Sequence, residues 1–138
     1  MLSDTQTASV SKKMVWAGRI ISALPALFLL VDGGMKLIKP PVVVEATVKL
    51  GYPETVILPL GIVLLGCTIL YLIPRTAILG AILLTGYLGG AVATHVRVGE
   101  GAFSIVFPII FGVLIWGGLY LREPRLRTLI PLRKGEEA

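Results

Sequence analysis

Residues 71–99 read YLIPRTAILGAILLTGYLGGAVATHVRVG. The segment from Thr76 to Thr94 carries no charge, and a helix of about 20 apolar residues is long enough to cross the roughly 30 Å core of a bilayer. Only one arginine separates it from another uncharged run, Thr55 to Pro74. Because so short a connection allows only a tight reversal, the two runs are predicted to form an antiparallel pair of membrane-spanning helices.

Two further apolar runs flank this pair, one from about Met14 to Ile38 and one from Gly101 to Leu121. Of 138 residues, 55% are hydrophobic and 15% are charged, whereas soluble domains carry about 25% charged residues. The mean hydropathy is +0.87. The sequence therefore predicts an all-α integral membrane four-helix bundle at residues 14–122. The predicted helices cover about residues 14–38, 55–74, 76–96 and 102–121, between a flexible tail at 1–13 and a basic cytoplasmic tail at 123–138.

The first apolar run has an alternative interpretation as a cleaved signal peptide, with Lys12 and Lys13 as its basic region. However, the residues after its apolar core, Val31 to Gly34, make a poor cleavage site. The run is also long for the core of a signal peptide. We therefore interpret it as the first membrane helix.

The longest predicted connection, residues 39–54, reads KPPVVVEATVKLGYPE. Glu45 precedes Lys49 by four residues, an order that stabilises a helical turn, while Val44 and Val48 form a neighbouring apolar stripe. A short amphipathic helix on the membrane surface is one prediction for this connection, and an irregular loop is the other.

Basic residues are distributed unequally between the two predicted membrane faces. Four crossings place both termini on the side of the 74–75 turn, and that side carries nine of the 13 lysines and arginines. Because cytoplasmic loops are enriched in Lys and Arg, both termini are predicted to face the cytoplasm of a bacterium, with the protein in its inner membrane. These residues lie at the ends of apolar runs and form no basic face with exposed aromatics, so nucleic acid is not an expected partner.

Small residues recur every four positions in the third run, at Ala77, Ala81, Thr85, Gly89 and Ala93. Small side chains let apolar helices approach one another closely in lipid. The pattern predicts that this helix lies at the centre of the bundle and packs within the chain. A homodimer interface through Gly86 and Gly90 is the alternative.

Polar side chains collect near the outer ends of the predicted helices. Asp32 and Lys36 are four residues apart on one helix face, and His95 and Arg97 end the third run. Tyr87 lies about two turns before His95 and about 80° around the helix, so both side chains could border one groove. A charged mouth above apolar helices suits an amphiphile, which makes these five our candidate ligand-binding residues. In the alternative, the cluster is structural and Asp32 only pairs with Lys36.

No motif for catalysis or metal binding is visible in the sequence. One histidine and one cysteine make no ligand set for a metal, and Cys67 lies in an apolar run where a thiol packs as a small hydrophobe. There is also no phosphate-binding loop and no Ser-His-Asp set in evident order. Catalytic residues are therefore unassigned, no metal or covalently bound cofactor is expected, and enzyme activity is left open.

Three segments, VDGGMKLIKP (31–40), LGYPE (50–54) and residues 71–99, together resemble the DoxX-like family of small bacterial four-helix membrane proteins. The resemblance extends over about residues 15–122. The family is named for a membrane subunit associated with thiosulfate–quinone oxidoreductase, so the resemblance implies the fold and a quinone-linked or redox-linked role. Members often carry a glutamate early in the second helix, whereas residues 60–65 here read LGIVLL. A role that needs a carboxylate at that depth is not implied for this chain.

Three functions are compatible with these observations. The first is an accessory subunit in the lipid bilayer that binds a quinone-like or lipid-like amphiphile, with quinone as the expected cofactor, and supports a redox enzyme as partner. The second is a scaffold or assembly factor without a ligand, which associates with itself as a homo-oligomer or with other proteins. The third is a small-molecule transporter, which ranks last because the second to fourth runs carry no charge at mid-depth.

Overall fold

The computed structural model of the protein describes residues 4–133, with side chains from residue 12 onward. This range is helical between short connections and contains no strand. Short 3₁₀ turns at Glu54–Val56 and Pro74–Thr76 precede the third and fourth helices. The helices are α1 (Asp4–Ile38), α2 (Pro41–Lys49), α3 (Ile57–Leu72), α4 (Ala77–Val98), α5 (Ala102–Arg122) and α6 (Pro124–Arg127).

Four helical segments of the described chain are long and apolar enough to cross a membrane. Their outward faces carry large apolar side chains; Leu24 and Val113, for example, are 63% and 66% exposed. A soluble protein rarely exposes so much apolar surface, whereas lipid solvates it and leaves every backbone bond to be made within the helix. The prediction of an all-α integral membrane four-helix bundle is confirmed, and the chain is a multi-pass membrane protein.

The helix ends follow local sequence signals. α1 ends where Lys39 adopts a left-handed backbone conformation (φ 56°) ahead of two prolines, and Pro41 then occupies the first turn of α2. Gly99 ends α4 in the left-handed conformation (φ 82°), and its N–H reaches two carbonyls of the last turn. The connection at 39–54 therefore contains the predicted short helix rather than an irregular loop.

α1 begins at Asp4, well before the predicted start near residue 14. Residues 4–13 contain neither proline nor glycine, so nothing in that polar segment interrupts the backbone hydrogen bonds of the helix. The helix thus extends through most of the region for which a flexible tail was predicted. Hydrophobicity marks the part of a helix that lies in lipid, whereas helical backbone continues until a breaking signal occurs.

The four long helices form a ring in which each packs mainly against two neighbours. α1 packs against α3 and α5, and α4 packs against the same two helices from the opposite side. The prediction that α4 forms the centre of the bundle is therefore wrong. Gly86, Gly89 and Gly90 of α4 have open space where a side chain would stand. Small residues can leave space as well as permit contact, and the spacing pattern does not distinguish the two.

The closest helix packing lies at the end of the bundle that carries the termini. A Cβ on Gly18 of α1 would stand 2.6 Å from the carbonyl oxygen of Gly118 on α5, and Gly80 of α4 packs as closely on the backbone of Tyr71. The Tyr71 side chain is fully buried, and its hydroxyl donates to the Ile115 carbonyl oxygen at 2.7 Å. This end of the bundle is a packed core, while the end beneath α2 is hollow.

Candidate functional site

A cavity of about 640 Å³ lies at the end of the bundle beneath α2, and we call it the α2 cavity. Residues from α1 to α5 line it, and most of them are apolar. Its volume is within the range of small-molecule sites in proteins, roughly 300–1,000 Å³. The cavity is therefore large enough for a ring-sized head group with part of an apolar chain.

Four of the five predicted ligand-binding residues line the α2 cavity, namely Asp32, Lys36, Tyr87 and His95. Lys36 Nζ lies 2.5 Å from Asp32 Oδ2 on the same face of α1. The Lys36 side chain is 15% exposed and that of Asp32 is 40% exposed, so the carboxylate is the more accessible partner. The predicted structural pair is thus present, and it forms part of the wall of a cavity.

His95 is oriented by the residue that follows α4. Its Nδ1 lies 2.9 Å from Glu100 Oε2, and because a carboxylate only accepts hydrogen bonds, Nδ1 carries the proton. In the neutral ring, Nε2 is then an acceptor. Hydrogen bonds from Ser104 and from His95 lower the pKa of the Glu100 carboxyl, so the carboxylate form of Glu100 is favoured beside the imidazole.

Arg97 is the predicted site residue that does not line the α2 cavity. Its side chain is exposed, and Nη2 donates to the Leu50 carbonyl oxygen at 3.4 Å. The guanidinium also lies against Gly51, where an added Cβ would stand 3.0 Å from Nη2. Arg97 thus connects the end of α4 to the end of α2, and its role in ligand binding stays a prediction without support from this position.

Phenylalanine rings form one apolar wall of the α2 cavity. Phe28 of α1 meets Phe111 of α5 with ring centroids 4.7 Å apart and Phe107 at 5.5 Å, both in edge-to-face arrangements. Pairs of this geometry add stabilisation beyond their buried area, so the wall is held in shape. The sequence reasoning missed these residues, although Phe103, Phe107 and Phe111 recur every four positions at the start of α5.

α2 covers the α2 cavity with Val43 and the buried Thr47, and Leu50 extends the cover just after the helix ends. The predicted apolar stripe at Val44 and Val48 is a neighbouring face of the same helix, and Val48 is 51% exposed. The sequence therefore predicted the helix and its apolar stripe, but not that a second face of the helix covers a cavity. A preference for apolar residues alone could not separate them, because valines occupy both faces.

A tyrosine after α2 attaches this cover to α4. The Thr94 hydroxyl donates its single proton to the Gly90 carbonyl oxygen at 2.8 Å. In its contact with Tyr52 it therefore accepts, and the Tyr52 hydroxyl donates to Thr94 Oγ1 at 2.7 Å. Both residues line the α2 cavity. Gly86 and Gly90 line it as well and leave the space that side chains would fill. Gly86 and Gly90 thus contribute to the cavity rather than to helix contacts.

The lining of the α2 cavity offers an ammonium donor, a carboxylate acceptor, a phenol and an imidazole among aromatic and aliphatic side chains. This arrangement can bind a molecule with a polar head and an apolar body. Within the described residues, no three His, Cys, Asp or Glu side chains lie close enough together to hold a metal ion.

The fold and this site define a small four-helix integral membrane protein with a mainly apolar cavity at one end that has a few polar groups in its lining. The model of the DoxX-like family matches residues 20–118, and the chain belongs to this family. The match covers the ring of four spans except for the polar start of α1 and the last residues of α5. Comparison with curated proteins and comparison with solved structures each gave no significant match.

Proposed function

We propose that the protein is an accessory membrane subunit that binds a quinone-like or lipid-like amphiphile in the α2 cavity and supports a membrane redox complex. One observation carries the binding part of this proposal. Asp32, Lys36, Tyr87 and His95, from two helices on opposite sides of the ring, line one cavity of about 640 Å³ whose remaining wall is apolar.

The polar head of the amphiphile would lie between the Asp32–Lys36 pair and the His95 imidazole. Lys36 offers a donor, Asp32 an acceptor, and Tyr87 either, so the wall can serve a carbonyl oxygen as well as a hydroxyl. The apolar body would contact the phenylalanine wall and the underside of α2. A cavity that buries apolar surface and fixes orientation through a few polar groups is typical of sites for such ligands.

The redox part of the proposal rests on the family resemblance. A bound quinone would supply electron transfer, while the residues of this chain would bind and orient it. Electrons would pass to a partner protein, since the described residues group no ligands for a metal centre.

We also propose that the protein lies in the bacterial inner membrane with both termini in the cytoplasm. The excess of Lys and Arg on the terminal side supports this orientation. The α2 cavity would then open toward the outer face. Cysteines introduced at residue 45 and at residue 75 would be labelled from outside and from inside, respectively, by a membrane-impermeant maleimide; the reverse pattern contradicts the orientation.

The packing of the opposite end supports binding over transport. Around Gly18, Gly118 and the fully buried Tyr71, the helices meet without a continuation of the α2 cavity, and the other cavity found there measures only about 90 Å³. A transporter must open its site to each face in turn, and this conformation has no route from the α2 cavity to the terminal face. A site that is open at one end and packed at the other is suited to holding a ligand.

The first test is mass spectrometry of lipids and quinones that co-purify with the full-length protein in mild detergent. We expect about one quinone or one specific lipid per protein. Gly90→Leu should remove it, because the new side chain would occupy the α2 cavity, in which nothing lies within 4 Å of the added Cβ. Gly89→Leu is the matched control: its Cβ is equally free, but residue 89 does not line the cavity.

A second set of variants tests the polar wall. His95→Ala and Asp32→Ala should each weaken binding about tenfold, the effect of losing one hydrogen bond to a charged or polar head, while Arg97→Gln should not. All variants must remain folded, as judged by thermal melting. If Gly90→Leu and the polar variants bind as the wild type does, or if only bulk lipid co-purifies, the binding proposal fails and the scaffold function becomes the better hypothesis.

A further inference from the structure

A second, smaller cavity lies at the opposite end of the bundle, near the chain termini. It measures about 90 Å³, and residues from the first half of α1, the α3–α4 turn, the start of α4 and the end of α5 line it. Two arginines, Arg19 and Arg122, and one carboxylate, Glu123, are among these residues. We call it the arginine cavity. It shares no residue with the α2 cavity.

Arg122 holds a fixed position beside this cavity. Its guanidinium carbon lies 4.8 Å from the centre of the Tyr71 ring, and Nη2 donates to the Tyr71 carbonyl oxygen at 3.3 Å. Nε is buried and has no acceptor among the described residues. A buried donor without a partner is unfavourable, so the described chain leaves the Arg122 guanidinium incompletely satisfied.

Arg19 supplies the second positive charge. Its side chain is exposed and its guanidinium lies 5.5 Å from the centre of the Trp16 ring. Neither Arg19 nor Arg122 forms an ion pair with a side chain in the part of the chain that the structure describes. The one carboxylate of the cavity, Glu123, accepts the backbone N–H of Arg125 at the start of α6. Two guanidinium groups beside one small cavity therefore remain available for an anion.

We infer that the arginine cavity binds a phosphate group. Guanidinium presents paired N–H donors that match the oxygens of phosphate, and a cavity of about 90 Å³ corresponds to roughly three water molecules, a space of the right order for one such group. Trp16 is 54% exposed at this level of α1, a position typical of the aromatic belt at the depth of lipid head groups. Lipid is thus the expected source of the phosphate, and soluble phosphate is the other.

This site is independent of the proposed amphiphile site. A lipid phosphate held between α1, α5 and the α3–α4 turn would link three parts of the ring at its packed end. Two arginines and one carboxylate give the lining a net positive charge, which favours the anionic phosphatidylglycerol over the zwitterionic phosphatidylcholine. The Glu123 carboxylate can in addition accept a hydrogen bond from a head-group hydroxyl of phosphatidylglycerol.

The experiment uses delipidated full-length protein in detergent, titrated with phosphatidylglycerol, phosphatidylcholine or inorganic phosphate and observed by native mass spectrometry. We expect one tightly bound phosphatidylglycerol. Arg19→Gln should weaken its binding about tenfold, as should Arg122→Lys, which keeps the charge but removes Nε and the planar fork. Arg75→Gln is the matched control, because Arg75 lies at the same end of the bundle but does not line the cavity. The affinity of the Arg75→Gln variant for phosphatidylglycerol should change by less than about twofold.

The Gly90→Leu variant separates this site from the α2 cavity, because it should lose the amphiphile but retain the phosphatidylglycerol. The site would be assigned to soluble phosphate if inorganic phosphate binds by itself, competes with the lipid, and is weakened by Arg19→Gln to the same extent as the lipid. Lipid binding without such competition would assign it to lipid. The inference is overturned if no phosphate compound binds, if Arg19→Gln and Arg122→Lys bind as the wild type does, or if Arg75→Gln loses as much affinity.

Discussion

Replacing Tyr71 by phenylalanine should destabilise the protein without affecting binding of the amphiphile in the α2 cavity, which Tyr71 does not line. The Tyr71 side chain is fully buried where α3 meets α1 and α5; its hydroxyl donates to the Ile115 carbonyl oxygen at 2.7 Å and lies 2.9 Å from Ser22 Oγ. Ser22 is 3% exposed, so its hydroxyl would lose a partner that lipid cannot replace. Side-chain hydrogen bonds between membrane helices contribute about 0.6 kcal/mol on average, and leaving a buried polar group unpaired costs about 1–3 kcal/mol.

Two such contacts give an expected loss of about 1–2 kcal/mol in the free energy of unfolding, close to a tenfold change in the unfolding constant. Unfolding in mixed detergent–SDS micelles measures this loss. Tyr120→Phe is the control, since the Tyr120 hydroxyl bonds to no described residue. Ser22→Ala with Tyr71→Phe should cost less than the two single changes added together. Equal stability of the Tyr71 and Tyr120 variants would refute the assignment of this hydroxyl to a stabilising network.

Three further predictions concern helix contacts and ion pairs. Gly118→Val should destabilise the bundle by about 3 kcal/mol or more, because the added side chain would overlap α1. Gly117→Val is the control and should be tolerated, because a side chain at residue 117 would enter open space. Equal melting temperatures of the two variants would contradict this packing. A double-mutant cycle of Asp32→Asn and Lys36→Met should give a coupling energy of about 1–3 kcal/mol, because this half-buried ion pair lies between exposed and fully buried ion pairs. A coupling energy near zero would show that the 2.5 Å contact between the two side chains is not maintained. The pKa of the Glu100 carboxyl is lowered in the folded protein, so its contribution to stability is complete above its ordinary pKa of about 4.5 and is lost as the pH falls further. Glu100→Gln should therefore remove this part of the pH dependence of the melting temperature. A melting profile that does not change with the substitution would argue against the contact between Glu100 and His95.

The candidate site could be predicted in part because helix periodicity relates sequence to geometry. Asp32 and Lys36 share a face because they are four residues apart, and Tyr87 and His95 border one groove because eight residues make slightly more than two turns. The four-crossing topology then brings the end of α1 and the end of α4 to one membrane face. This reasoning uses only local geometry and chain direction, and it identified four residues of the α2 cavity.

Other parts of the site depend on how the helices are arranged around the bundle axis. Arg97 follows His95 by two residues and therefore lies on a different face of α4, where it contacts the end of α2. Phe28 meets Phe107 and Phe111 only because α1 packs beside α5. Sequence spacing within one helix contains no information about which neighbour that helix will contact.

The sequence alone determined that the chain crosses a membrane as four helices, because an uncharged run of about 20 residues has no other favourable place and lipid requires the backbone to bond to itself. It also determined the tight reversal at residues 74–75, because a single arginine separates two uncharged runs. Only the tertiary structure decided that α4 lies in the ring rather than at its centre, and that Gly86 and Gly90 leave a cavity whereas Gly80 packs on α3. Glycine permits close contact and empty space equally well, so only the positions of the neighbouring helices select between them.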